Sequence, residues 1–532
     1  MNPDCSLHLA FGAPIGGPQL DELFEALGDL LFDEVAIAVD GLGLLAQFCF
    51  LGFLIAVYQG SGLTPGTNPE SGRQVEALVA SYQRDAVEEN SWPQFKAICD
   101  RVQEVSQRFY DSELELINAK RAAEGKEPLD RTSADLCDGS EVTSPTCHVE
   151  LREMSRRKLS AFRAAGILEL QAGLAARHKF IRPIPDGPLW AGARPEIGTT
   201  RAMVRVGTAR IFVARENGDE AEWIAAIRDT LGAARPMSRG EVLIERLVYA
   251  AALNMIFGEV RQGLLETTPS PAAIRSVMSL VDDAVSIPPV QLTLDGERLA
   301  VLDFITRTYT DDGNENGTMI QGELERLTES EPMLLMLEGR SMKHKLGVMK
   351  ILWTWGPPRK QRSIERCDEY FRVGAEWLAA APRDRANRSP SPAELMNRFE
   401  DQHEIALGIM IPNLDKLATV LDVNKVEIDG TRLMLTLELF KAQIGNYPAA
   451  LSELVPDFIA GLPLDPFTQR PYIYRRLQPG DDPLPNQQRP YLLYSTGFDA
   501  LDDHARSDAE ENFRPAKPDC KSGYDIVINR PR

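Results

Sequence analysis

The sequence predicts a mainly α protein with an N-terminal transmembrane helix, a helical-repeat-like (α-solenoid) middle and a C-terminal α+β domain. Three observations carry this. Gly41–Tyr58 is a run of eighteen uncharged, almost wholly apolar residues. From Val75 to Ala381 apolar residues recur at intervals of three and four, the period of an amphipathic helix. Beyond Pro392 a long helical pattern gives way to short aromatic runs such as YIYRR and YLLYS, which read as strands.

The first element follows an N-terminal segment, residues 1–34. The span placed at 35–58 is centred on GLGLLAQFCFLGFLIAVY, just long enough to cross a hydrocarbon core of about 30 Å as a helix. Gln47 is its only strongly polar side chain, and Tyr58 stands where an interfacial aromatic belongs. Residues 1–40 contain no Lys or Arg, so the segment lacks the basic start of a signal peptide, and charge alone leaves its orientation open. Residues 59–74, rich in Gly, Ser, Pro and Thr, read as a linker.

In the helical-repeat-like region 75–381, Val75, Leu78, Val79 and Tyr82 share one helical face, as do Phe95, Ile98, Val102 and Val105. Ala202–Arg215 and Ala221–Ala234 flank the turn Glu216-Asn217-Gly218-Asp219 and predict an antiparallel helix pair. Further helices are predicted over Arg239–Leu265, Pro271–Val285 and Glu297–Thr310. Paired helices of this length resemble tetratricopeptide-type units, although no fixed period repeats cleanly. Arg182–Gly198, with Pro, Gly and Trp, reads as a separator, and Pro382–Pro392 as an interdomain linker ahead of the domain 393–532. Cys137 and Cys147 lie in a polar stretch, either bridged in an exported chain or as two free thiols.

One motif asks for a ligand. Asp312–Glu323, DGNENGTMIQGE, has the spacing D-x-[DN]-x-[DN]-G-x5-E of an EF-hand loop. Asp312, Asn314 and Asn316 supply side-chain oxygens, Gly317 the turn, Thr318 a main-chain carbonyl and Glu323 two carboxylate oxygens, the donor set that Ca2+ prefers. Only two of these groups are charged, which predicts weak binding, about 10⁻⁴ to 10⁻³ M. The alternative is a polar Asn/Gly turn between helices.

The net charge of −20 excludes nucleic acid as the expected partner, since that affinity comes from clustered Lys and Arg. No GxxxxGK[ST] phosphate loop, HExxH pair, GxSxG elbow or Rossmann glycine fingerprint is present. The histidines are scattered among polar residues, and Cys147-His148 are adjacent in sequence without evidence that they converge in space.

Thr431–Ile528 resembles the C-terminal domain of type II secretion major pseudopilins. The matching landmarks are Asn446-Tyr447-Pro448 after a long helix, the corner Leu462–Phe467 reading LPLDPF, and Tyr494-Ser495-Thr496-Gly497-Phe498-Asp499. The resemblance implies a small antiparallel sheet and a calcium-stabilised final loop, for which Asp499, Asp502, Asp503 and Asp525 are the matching residues. Departures are Ala500 in place of the usual glycine, a long insertion carrying Cys520, and Val57 where the family's leader has its Glu. Ala500 and the insertion bear on the calcium loop, whereas Val57 and the long helical region between the apolar segment and the pilin-like part set the chain apart from filament-forming pseudopilins. The whole arrangement, including NSWPQFKA and LDGERLAVLDFITRTYTDDGN, resembles a group of planctomycete-type bacterial proteins with one N-terminal membrane helix and a pseudopilin-like end. The expectation is therefore a membrane-anchored, calcium-binding envelope scaffold without catalytic activity. It would bind a protein partner and carry most of its chain on the periplasmic or extracytoplasmic side. The alternatives are a structural component of a type II secretion or pilus-like apparatus, contacting secretion-apparatus proteins, and an enzyme with a carboxylate-based site.

Overall fold

The computed structural model describes residues 66–68, 70–82, 89–123, 125–128, 145–184, 187–189, 194–310, 317, 320, 359–402, 404–478, 489–505 and 525–530. The predicted span at 35–58, the preceding segment and half of the 59–74 linker lie outside the described residues, as does Cys137. Among the described residues no helix is long and apolar enough to cross a membrane. The described chain is mainly helical, with three short strands. It divides into two compact units, one holding 302–366 and 399–410 together with 1–68, the other 69–301, 367–398 and 411–532.

The larger unit opens with α1 (Ser71–Tyr82), which buries Val75 and Val79, and α2 (Trp92–Ala123), which buries Phe95, Ile98, Val102 and Val105, the stripes seen in the sequence. Then come α3 (Pro145–Ala164) and α4 (Ile167–Leu174). Next, α5 (Pro195–Glu216) and α6 (Glu220–Ser238) form the expected hairpin, longer at both outer ends than the apolar pattern alone. Its turn is built locally. Gly218 takes φ 67°, and the Asp219 carboxylate accepts the Glu222 N–H at 3.0 Å. Such an N-cap contributes about 1 kcal/mol. The helices approach closely because Gly207 on α5 faces Thr230 on α6, where any Cβ would collide with the threonine side chain. The Arg210 fork then bridges Glu222 and Asp229 across the pair.

Helix α7 (Leu243–Glu266) packs on both arms of this hairpin, and α8 (Pro271–Val285) packs on α6. Helix α9 (Val290–Thr308) starts earlier than its apolar pattern suggests. After it come α10 (Lys360–Ala379), α11 (Pro382–Arg385), α12 (Pro392–Asp401), α13 (Ile405–Met410) and α14 (Leu414–Ile444). The helical stretch predicted over Ala393–Ile444 breaks at Pro412 as expected, and it is also interrupted near 402–404. Proline lacks an N–H donor and its ring clashes with the preceding turn, so it kinks or breaks a helix at its interior. Asn413 caps α14 through the Lys416 N–H at 2.9 Å, and Gly445, at φ 91°, ends it.

Helix α14 is buried on almost every side between Asp429 and Phe440, as expected of a helix enclosed by other elements. On one side it meets α7 and α8, with Asn424 Nδ2 donating to Asn254 Oδ1 at 2.6 Å and Arg261 to Thr431 Oγ1 at 2.9 Å. Elsewhere it meets the three-stranded antiparallel sheet β1 (Ile473–Arg476), β2 (Tyr491–Ser495) and β3 (Ile526–Val527), ordered β1-β2-β3. The register pairs Ile473 with Tyr494 and Tyr494 with Val527. Tyr491 and Leu493 join the main core, whereas Leu492 and Tyr494 join a small cluster with Leu477 and Ala505, the alternation a strand imposes.

The linker expected at Pro382–Pro392 is corrected here. Both prolines sit in the first turn of a helix, where the missing N–H costs nothing. Between them Arg385 is buried, pairs with Asp422 of α14 and donates to the Trp377 carbonyl at 3.0 Å. The stretch is anchored, and one apolar core runs from Trp92 to Ile528.

The smaller unit is held around Tyr309 and Glu404. Ser363 Oγ lies 3.1 Å from Tyr309 Oη and donates to Glu404 Oε2 at 2.8 Å, while Arg362 Nε lies 2.9 Å from Glu404 Oε1. Burial pushes the Glu404 carboxyl above its ordinary range, against the pull of that hydroxyl and guanidinium.

Candidate functional site at the end of the C-terminal sheet

Asp312, Asn314, Asn316, Thr318 and Glu323 lie outside the described residues. Gly317 and Ile320 are described. The Ile320 N–H donates to the Thr308 carbonyl at 2.8 Å, and the Lys360 N–H to the Gly317 carbonyl at 3.2 Å. The role assigned to Gly317 is corrected. It does not adopt the positive φ of a turn glycine, and what requires glycine is that a Cβ would run into the Thr310 carbonyl oxygen.

Of the carboxylates named from the resemblance, Asp499, Asp502 and Asp503 follow β2 and Asp525 immediately precedes β3. The corner at 462–467 is fixed by Asp465, almost fully buried, which accepts the Phe467 N–H at 2.9 Å and the Thr496 N–H at 3.3 Å. It thereby ties the LPLDPF corner to the end of β2. Phe467 and Phe498 then pack with ring centroids 4.7 Å apart. After the 3-10 turn Gly497–Asp499 the chain takes positive φ at Ala500 (58°), His504 (60°) and Ala505 (64°). Each such non-glycine residue costs roughly 1–2 kcal/mol, so side-chain acceptors must hold the loop.

Those acceptors are Asp499, Asp502 and Asp525. Asp499 Oδ1 accepts the Leu501 N–H at 3.0 Å, a bond within its own turn. Asp502 Oδ1 accepts the His504 N–H and the Tyr494 hydroxyl, each at 2.9 Å. Asp525, arriving from the start of β3, accepts the Ala505 N–H at 2.7 Å and the Asp503 N–H at 3.4 Å. Asp503 Oδ2 is buried and has no hydrogen-bond partner. Burial pushes the Asp525 carboxyl up to about 6. The Ala505 and Asp503 amides pull against that, and the charges of Asp502 and Asp503 add to it. Asp502, Asp503 and Asp525 therefore crowd together, while Asp499 turns to its own loop.

This donor set suits a hard cation in type, since every group is an oxygen and the charge is in excess. Among the described residues no three carboxylate, imidazole or thiol groups already stand in a metal's ligand geometry. Residues 506–524 lie outside the described residues.

A second polar constellation was missed by sequence reasoning. Arg182 Nη2 donates to Glu241 Oε1 at 2.6 Å and Glu245 Oε1 at 2.9 Å; Arg194 Nη1 donates to the same two oxygens at 3.1 and 3.0 Å. Glu297 Oε1 accepts the Leu243 N–H at 2.6 Å, at the start of α7. Both arginines come from the stretch read as a separator. The only sequence signal was a pair of arginines among prolines and glycines, facing no obvious partner. Compared with protein-family models, with curated proteins and with solved structures, the chain matches none.

Proposed function

We propose that the chain is a calcium-binding, non-catalytic interaction protein of the bacterial cell envelope, anchored by the segment at 35–58. Its helical-repeat-like scaffold presents a C-terminal docking module. The observation that carries this reading is the crowding of Asp502, Asp503 and Asp525 around a buried carboxylate oxygen without a partner. Carboxylates so placed repel one another, and a divalent cation relieves that repulsion while supplying the missing partner. Asp502, Asp503 and Asp525 would hold the ion. Asp499, already bonded within its turn, would do so only by rotating. The motif at 312–323 supplies a weak calcium site of its own.

The reading as a component of a type II secretion or pilus-like apparatus has its own support. A long helix leads through a short 3-10 turn and an aspartate-fixed corner into a three-stranded antiparallel sheet, the order of parts expected from the pseudopilin resemblance. Calcium titration of the purified chain, beside variants Asp503→Asn and Asp525→Asn, tests the metal. Affinity capture from native membranes with and without chelator tests the partner. Loss of calcium binding in neither variant removes the site, and copurification with filament proteins moves the reading to the secretion apparatus.

A further inference from the structure

The larger unit holds a cavity of about 590 Å³. Most of its wall is apolar, from Val75 of α1, Trp92 at the start of α2, Ile184 and Leu189 of the connecting stretch, and Ala300 of α9. A volume of that size, largely apolar with a few convergent polar groups, is the usual form of a small-molecule site. Its walls are fixed by contacts of their own. Asn90 donates to the Ile181 carbonyl at 2.7 Å and accepts the Ile181 N–H at 2.8 Å, which pins the connecting stretch to the start of α2. The Arg182 guanidinium lies over the Trp92 ring, 5.4 Å from its centroid.

The charges on this wall balance. Lys96, Arg182 and Arg194 stand with Asp100, Glu196 and Glu241. Lys96 pairs with Asp100 and lies 3.8 Å from Glu196, while the two arginines donate to Glu241 Oε1 at 2.6 and 3.1 Å. Each lining charge is thus already matched by an opposite one. An ammonium or a carboxylate on a ligand would leave water and find no unmatched counter-ion, which is costly. One polar function is still open. Arg182 uses only Nη2 toward carboxylates, and its Nε and Nη1 hydrogens have no acceptor among the described residues. A neutral oxygen accepts such a bond without upsetting the balance of charge.

We propose that this cavity binds an uncharged small molecule, apolar along most of its length and carrying one carbonyl oxygen, with that oxygen on Arg182 and the chain against Val75, Ile184 and Leu189. Its apolar length leaves water for the open apolar wall, and its carbonyl exchanges a hydrogen bond from water for one from the guanidinium.

The test uses the full chain and three probes of similar length, methyl hexanoate, heptanoate and heptylammonium, titrated by calorimetry at pH 7. Methyl hexanoate is expected to occupy one site with a Kd on the order of 10⁻⁴ M, roughly tenfold or more tighter than either charged probe. Ala97 lines the cavity from an exposed position on α2, so a charge can be placed there without entering the core. Ala97→Lys should raise heptanoate affinity roughly tenfold, and Ala97→Glu heptylammonium affinity by about the same factor, with melting temperatures like that of the wild type. A charged probe binding the wild type as tightly as methyl hexanoate overturns the proposal, as does a methyl hexanoate titration that shows no binding. Binding whose order of probes neither Ala97 variant changes lies elsewhere on the molecule, and overturns it equally.

Discussion

Arg385 and Asp422 form a buried ion pair that fastens the four-residue helix α11 to the long helix α14. Arg385 also donates to the Trp377 and Leu378 carbonyls, so its charge is held on three sides.

Removing the carboxylate alone strands the guanidinium. Asp422→Ala is therefore expected to cost about 3–5 kcal/mol in urea unfolding, against about 0–1 kcal/mol for an exposed pair such as Arg372–Glu376. The same variant should open 382–392 to proteases that leave the wild type uncut there. Equal destabilisation by Asp422→Ala and Glu376→Ala would show that the buried pair is not a fastening.

Two glycines of α5 should respond in opposite directions. A Cβ at Gly198 meets nothing, so Gly198→Ala should stabilise by about 1 kcal/mol through helix propensity. At Gly207 the new methyl collides with the branched Thr230 side chain, and Gly207→Ala should destabilise by about 1–3 kcal/mol. Chemical denaturation of both variants decides it, and a stabilising Gly207→Ala would refute the close approach of α5 and α6.

The acidic loop gives a pH dependence. The folded Asp525 carboxyl, at about 6, binds its proton more tightly than the unfolded chain does at its ordinary 3.8. Its contribution to stability is complete below about pH 3.8 and is lost as the pH rises through about 6. Without calcium, the Ala505 amide should therefore be better protected from hydrogen exchange at pH 5 than at pH 7.5, after correction for intrinsic rates. Calcium competes with that proton, so the rise in melting temperature on adding calcium should shrink between pH 7.5 and pH 5. A response independent of pH would separate Asp525 from the metal.

At the EF-hand-like loop, Glu323→Gln removes one of two formal charges and should weaken calcium binding far more than Glu315→Gln, whose position in the motif is not a ligand. Calorimetry on the two variants measures this directly. Identical isotherms would return the segment to an ordinary polar turn.

Helices that bury a single stripe were legible in the sequence. Val75 and Val79, or Phe95, Ile98, Val102 and Val105, announce their inward face by spacing alone. The hairpin at 216–219 was legible for a local reason too, since Gly218 and Asp219 each do their work within four residues. What stayed hidden depends on distant partners. Arg182 meets Glu241 and Glu245 some sixty residues away, and Arg385 meets Asp422 across thirty-seven. In one dimension both arginines sit among residues that usually mark solvent-exposed loops. The four loop aspartates were grouped through a resemblance, Asp503 with Asp525 included, but nothing in the sequence showed Asp499 turned to its own backbone.

The way Ile528 and Asn529 complete the core bears on how this protein is made. Asn529, fully buried, accepts the Leu493 N–H at 3.0 Å and donates to the Tyr491 carbonyl at 2.6 Å, while Ile528 covers Gly430 of α14. Helices α5 to α8 therefore leave the ribosome well before the segments that cover them. During that interval the apolar side of α7 that later meets α14 has nothing to pack against, a condition in which chains commonly aggregate or engage chaperones. Nascent chains arrested before residue 414 should accordingly be caught by holdase chaperones far more strongly than the released full-length product.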